Sequence, residues 1–265
     1  MHKVAAIQMC SKKTVDENLK IAAHLISEAA KNQVKLCVLP EMFAIMSDNA
    51  SDKIAVKEEY SQGKIQNFLS EQAKKNNIWI VGGTIPIACH QPNKVKAACL
   101  VFNSLGKIVA RYDKINLFDV TLSPTEAYKE SDTTEPGDQI TLLDTPFGKL
   151  ALAVCYDIRF TQLFYDLRKR GAEIIVIPAA FTVPTGKAHW QLLARARAVD
   201  TFCYVIGAAQ GGTHENGRQT YGHSLIVDPW GTIAAEAPQS GDHIIYADID
   251  LEKMKNIRRK IPVFN

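Results

Sequence analysis

Three apolar runs in this chain end on residues that could do chemistry. Glu41 follows Val38-Leu39-Pro40, Lys114 follows Arg111-Tyr112-Asp113, and Cys155 follows Leu150-Ala151-Leu152-Ala153-Val154. A thiol can serve as a nucleophile, a carboxylate as a general acid or base, and an ammonium as a partner for developing negative charge. Ligands and catalytic groups collect at strand ends in α/β sheets. Each residue also has an ordinary structural role open to it. Free cysteine is among the most buried residue types, glutamate suits the first turn of a helix, and a lysine after a strand is usually solvated. A cysteine–histidine site would use His189 or His223 as base, although packing or hydrogen bonding is the preferred reading of both. Residue chemistry alone leaves these possibilities open.

Three separate strand ends can meet only if the elements between them are regular. The first half predicts a strand over Val4–Met9, a helix over Val15–Lys31, a strand over Leu36–Leu39 stopped by Pro40, a helix over Lys64–Lys75 and a strand over Ile78–Val81. Ala97–Asn103 and Lys107–Tyr112 read as a hairpin around Ser104-Leu105-Gly106. The second half repeats the order. It has a strand at Leu150–Val154, a helix at Arg159–Arg170, a strand at Glu173–Ile177 stopped by Pro178, a helix at Ala188–Thr201 and a strand at Tyr204–Gly207. A hairpin, Ser224–Val227 with Thr232–Ala235, closes it. Trp79-Ile80-Val81-Gly82 aligns with Tyr204-Val205-Ile206-Gly207, and Leu105-Gly106-Lys107-Ile108 with Trp230-Gly231-Thr232-Ile233, at one common offset. A pseudo-twofold α/β structure is expected, with two sheets face to face and helices outside. Residues 1–265 are read as one domain, because no Pro/Gly/Ser-rich linker divides them. Only Phe118–Asp138 breaks the pattern, an acidic stretch without periodicity that reads either as a functional loop or as a solvated connector.

Composition narrows the function. The 265 residues are 46% hydrophobic and 22% charged, the balance of an ordinary globule. Lys+Arg 31 against Asp+Glu 28 gives a net charge of +3, too small to argue for nucleic acid or an anionic membrane. No run approaches the roughly 20 apolar residues of a membrane span. Six widely spaced cysteines without a CxxC favour reduced thiols over a disulfide frame or a zinc site, and with no leader-like start a cytoplasmic location is expected.

Taken together and in order, the motifs resemble the nitrilase superfamily of carbon–nitrogen hydrolases, from Val4 to Phe264. The signatures are Leu39-Pro40-Glu41-Met42-Phe43, Tyr112-Asp113-Lys114-Ile115-Asn116-Leu117-Phe118 and Val154-Cys155-Tyr156-Asp157-Ile158-Arg159-Phe160. Gly186-Lys187-Ala188-His189-Trp190, Arg195-Ala196-Arg197-Ala198, Tyr221-Gly222-His223-Ser224 and Asp228-Pro229-Trp230-Gly231 support them. The resemblance implies a four-layer αββα sandwich, a Glu41-Lys114-Cys155 site without metal or cofactor, and a homodimer or larger assembly. It makes Cys155 the nucleophile, Glu41 the proton carrier, and Lys114 the cation that steadies the oxyanion and favours the thiolate. Glu130 falls where the family often has a second carboxylate, which would hold Lys114 in place.

The substrate is less sharply drawn. The local match within the superfamily is to the branch holding deaminated glutathione amidase and ω-amidase. The first implies hydrolysis of deaminated glutathione to 2-oxoglutarate and cysteinylglycine, and the second acts on 2-oxoglutaramate or 2-oxosuccinamate. Either substrate carries a carboxylate, for which Tyr156, Arg159, Phe181 and Lys187 are the candidate contacts. Arg195 and Arg197 are open to a substrate or a structural role, and Asp157 and Arg159 read as an ion pair fixing the turn after Cys155. Cys155-Tyr156-Asp157 argues against an aliphatic nitrilase, which typically has Cys-Trp-Glu there. A non-catalytic binding module on the same fold is the reading from another class, and retention of all three central residues weighs against it.

Overall fold

Val4, Ala5, Ala6 and Ile7 are all fully buried, which requires a strand covered on both faces. The computed structural model describes residues 1–124 and 126–264. It places this strand, His2–Gln8, in a seven-stranded sheet. From one edge the order is His243–Ile249, His2–Gln8, Leu36–Val38, Trp79–Val81, Val95–Phe102 and Ile85–Ala88, with Ile108–Asp113 also paired to Val95–Phe102. The second sheet has six strands in the order Leu142–Thr145, Gly148–Leu152, Ile174–Ala179, Tyr204–Ala209, Leu225–Val227 and Ile233–Glu236. The strand orders correspond. In each sheet three parallel central strands are flanked by an antiparallel edge strand on one side and a hairpin on the other.

The helices cover the outer faces. Val15–Lys31 begins at Thr14, whose hydroxyl accepts from the Glu17 N–H, and it buries Leu19, Ala22, Leu25, Ile26 and Ala29 against the first sheet. Lys64–Asn76 lies beside it through Ile65, Leu69 and Ala73. Thr161–Lys169 and Val183–Thr201 cover the second sheet through Leu163, Phe164, Trp190 and Ala194. Residues from both sheets, including Val4, Val38, Val101, Leu152 and Val176, share one core. The result is the expected αββα sandwich.

Three expectations need correction. The strand at Ile174 does not stop at Pro178 but pairs with Tyr204–Ala209 as far as Ala179. Ala179 turns its carbonyl toward that neighbour's end, accepting from the Gln210 N–H, so Pro178 faces the opposite side. There the partner strand is paired only as far as Val176, and the missing N–H breaks no ladder bond. Helix Val183–Thr201 starts earlier than Ala188, with Pro184 in its first turn and Gly186 so close to the Tyr221 ring that a Cβ would overlap it. The Phe118–Asp138 stretch is not an irregular loop. It folds as a hairpin, Asp119–Ser123 with Glu126–Lys129, followed by a 3-10 turn at Glu130–Asp132.

Candidate active site

Each central residue stands just past a strand. Pro40 ends the Leu36–Val38 strand and hands the chain to Glu41, after which Met42 adopts a left-handed φ of 57° and donates its N–H to Thr84 Oγ1 at 2.9 Å. Lys114 follows Ile108–Asp113, and its N–H and C=O are tied to Ala97 and Gly137. Cys155 opens a 3-10 turn, Cys155–Arg159, also at a left-handed φ, 46°. A non-glycine residue is strained there and needs support from its surroundings.

Asp157 supplies much of that support. Its Oδ2 accepts from the Val154 N–H at 2.8 Å and the Tyr112 hydroxyl at 2.7 Å, and its Oδ1 accepts from the Asn116 N–H and side-chain amide at 3.0 and 2.8 Å. One carboxylate therefore binds the Cys155 turn to the segment carrying Lys114. The expected Asp157–Arg159 ion pair does not form. Arg159 lies over the rings of Tyr156 and Phe181 and contacts His189 Nδ1 at 3.3 Å. Arg197 is buried and structural, donating Nε to the Ile158 carbonyl at 2.8 Å, while Arg195 donates Nε to the Gly231 carbonyl. His223 hydrogen-bonds Glu236, so neither histidine serves Cys155.

Lys114 Nζ is 2.8 Å from Glu41 Oε1 and 2.8 Å from Glu130 Oε2. Its side chain is 2% exposed. Burial opposes its charge, but Glu130 and then Glu41 outweigh that cost and hold the ammonium well above its usual range. Burial likewise opposes the Glu130 charge, and Lys114 together with the Phe118 N–H (2.8 Å) holds that carboxyl below its usual range. The Cys155 thiol is raised well above its ordinary value, first by burial and then by Glu41, against the opposing effects of Lys114 and the Ala180 amide. Lys114 favours the thiolate, as expected, but burial and Glu41 oppose it more strongly and the net shift is upward. The thiol is hydrogen-bonded to Glu41.

Glu41, Lys114, Cys155, Glu130, Tyr156, Arg159 and Phe181 all line one cavity of about 410 Å³. Lys187 does not. It lies on the exposed side of Val183–Thr201, away from the cavity wall. Lys53, Tyr128, Asn216 and Arg218 also line the cavity without having been singled out. They come from a short helix, a hairpin and a turn whose composition is that of ordinary surface, so only the folded chain reveals them. Among the described residues, no cluster of His, Cys, Asp and Glu fits a metal ion.

Residues 3–259 match the carbon-nitrogen hydrolase family. The chain is 39% identical over 262 residues to the deaminated glutathione amidase of Yersinia enterocolitica, covering 98% of this chain and 91% of that protein. It is 37% identical over 263 residues to omega-amidase NIT2 of Bos taurus, covering 99% and 94%. The crystal structure of Saccharomyces cerevisiae Nit3, a member of branch 10 of the nitrilase superfamily, superimposes with a TM-score of 0.89 at 36% identity, over 100% of this chain and 95% of that one.

Proposed function

The chain belongs to the carbon–nitrogen hydrolase family, and from that premise we propose a cysteine-dependent amidase that hydrolyses deaminated glutathione to 2-oxoglutarate and cysteinylglycine. The observation that carries this reading is Lys114 Nζ, held at 2.8 Å by both Glu41 and Glu130 on the wall that also presents Cys155. Such a cation cannot wander or deprotonate, which suits a fixed stabiliser of negative charge. Cys155 gives its proton to Glu41 as Sγ bonds to the amide carbon. The carbonyl oxygen becomes an oxyanion beside Lys114. Glu41 then returns the proton to the nitrogen as the C–N bond breaks, leaving a thioester and a free amine. Glu41 next takes a proton from water, whose oxygen bonds to the acyl carbon as the C–S bond breaks, and then passes that proton to the departing Sγ, restoring the thiol and releasing the acid. A thiol raised above its ordinary value fits this cycle, since the base is needed at the start.

Arg159, backed by Tyr156 and Phe181, meets the carboxylate of the acyl part. Residues 1–265 act as one domain. Six free thiols support a reducing, cytoplasmic setting. Exposed Leu192, Val199 and Trp230 on the outer layer of the second sheet support a homodimer. The second reading is an ω-amidase releasing ammonia from 2-oxoglutaramate, favoured by the identity to the Bos taurus protein. Initial rates with deaminated glutathione and 2-oxoglutaramate, with Cys155→Ala as control, test both. Higher kcat/KM on the first supports the main reading, and higher kcat/KM on the second moves the protein to the ω-amidase. Turnover of neither, or turnover retained by Cys155→Ala, overturns the mechanism.

A further inference from the structure

The cavity contains more positive charge than the chemistry just described uses. Arg218 reaches it from the turn between Gly211–Thr213 and Gln219–Tyr221. Its backbone is fixed, with its N–H donating to Asn216 Oδ1 at 3.0 Å and its carbonyl accepting from His214 at 2.9 Å. Its side chain meets no carboxylate among the described residues. Nη2 donates to the Ala180 carbonyl at 3.3 Å, Nη1 is 3.9 Å from Met42 Sδ, and the guanidinium lies 5.6 Å from the centre of the Tyr128 ring. Nε is buried with no hydrogen-bond partner. A guanidinium carries five N–H donors and a permanent charge, so this placement leaves both under-used.

Lys53 adds a second cation outside any direct ion pair. Its ammonium donates to Thr134 Oγ1 at 2.6 Å and has no carboxylate in ion-pair contact among the described residues. Burial pushes it below its usual range; Lys114 and Arg218 push the same way, against Glu130 and Glu41. Two partly desolvated cations facing one cavity are favourable only when an anion joins them.

Their position says which part of a substrate that anion belongs to. Met42 follows Glu41, the residue that protonates the departing amine, and Ala180 is the residue whose amide holds Cys155 Sγ. Arg218 touches both, so it stands beside Glu41 and Cys155 at a place of its own in the cavity. Arg159 is a separate station, bracketed by Tyr156, Phe181 and His189, and it shares none of these contacts with Arg218.

We infer that Arg218, with Lys53 beside it, is a specificity-determining receptor for a carboxylate on the amine part of the substrate. The preferred substrate is then an amide with a carboxylate on each side of the scissile bond, whose amine product is an amino acid or short peptide. This rests on the amidase reading and sharpens it. An amide that releases ammonia leaves the Arg218 station unused.

The test compares deaminated glutathione, its analogue with the terminal carboxylate converted to a primary amide, and 2-oxoglutaramate, in the wild type, Arg218→Gln, Arg218→Lys and Lys53→Gln. The wild type should prefer the first compound over its analogue by at least about tenfold in kcat/KM, mostly through KM. Arg218→Gln should erase that preference, losing at least about tenfold more on deaminated glutathione than on 2-oxoglutaramate, and Arg218→Lys should recover part of it. Equal losses on all three compounds, or a wild type indifferent to the terminal carboxylate, overturn the inference. Failure of the wild type to turn over any of them overturns the amidase reading instead. Calorimetric titration of Cys155→Ala with the first two compounds then decides the receptor: tighter binding of the dianion supports it, and equal or absent binding refutes it.

Discussion

The Tyr112 hydroxyl donates to Asp157 Oδ2 across 2.7 Å of fully buried interior, joining the strand that precedes Lys114 to the turn that begins with Cys155. Burial, and then the Asp157 charge, hold the phenol far above its usual range, so it remains the donor at every working pH. Tyr112→Phe should lower the unfolding free energy by about 1.5–3 kcal/mol, the value of a hydrogen bond to a charged group. It should also lower kcat more than it changes KM, because the relative placement of Lys114 and Cys155 loosens. Urea denaturation and initial rates check both; an unchanged midpoint would show that the bond contributes nothing.

Glu41 has opposite effects on turnover and on thiol reactivity. In the proposed mechanism it is the proton carrier, yet its charge raises the Cys155 thiol. Glu41→Gln is therefore expected to reduce kcat by about 10²–10⁴-fold while speeding alkylation of Cys155 by a neutral reagent near pH 7.5. Mass-spectrometric labelling of all six cysteines reads this out. Slower labelling of Cys155 in the variant would mean that the carboxylate activates the thiol in the resting enzyme.

Lys114→Met would strand Glu41 and Glu130 without their shared cation. Breaking a buried pair from one side costs about 3–5 kcal/mol. The sign of the pH dependence follows from the shifts. In the wild type the depressed Glu130 carboxyl contributes stability that is present above about pH 4.3 and lost as pH falls through its folded value. The raised Lys114 contributes below about pH 10.4 and is lost as pH rises through its folded value. In the variant the buried Glu130 carboxyl loses the cation that depresses it and is raised instead, so the variant's Tm should climb from pH 8 to pH 5 and narrow the gap to the wild type. A constant gap over that window would contradict the ion-pair account.

Gly83 backs onto the segment that presents Glu41. Its φ is 57°, and a Cβ there would come within 2.0 Å of the Pro40 carbonyl oxygen. Gly83→Ala must displace that peptide, and a cost of about 1–3 kcal/mol with a fall in kcat is expected. Thermal unfolding paired with kinetics distinguishes this from a surface change, which would leave both within error.

Periodicity was enough to recover helix Val15–Lys31 to the residue, because its buried positions recur at helical spacing and Thr14 caps it. The common offset of the two halves was legible for a similar reason: Trp79 and Tyr204 head equivalent central strands, and Gly106 and Gly231 turn equivalent hairpins. What escaped depends on tertiary contact. The strand runs through Pro178 only because the neighbouring strand has already ended, which local sequence cannot reveal. Asp157 chose Tyr112 and Asn116 over the nearby Arg159 because the other sheet supplies them. Lys187 and Arg218 are alike as sequence, each a cation beside a glycine, and the fold sends one outward and the other to the cavity.

Glu41 and Lys114 extend from one sheet and Cys155 from the other, so catalysis amounts to a proximity sensor for the seam between them. A chain whose layers are formed but not yet closed on each other has every reactive group and no reactive arrangement. Turnover should thus vanish early on a denaturation curve, while far-ultraviolet dichroism still reports intact helices. During synthesis turnover should therefore begin only once the second sheet has docked on the first.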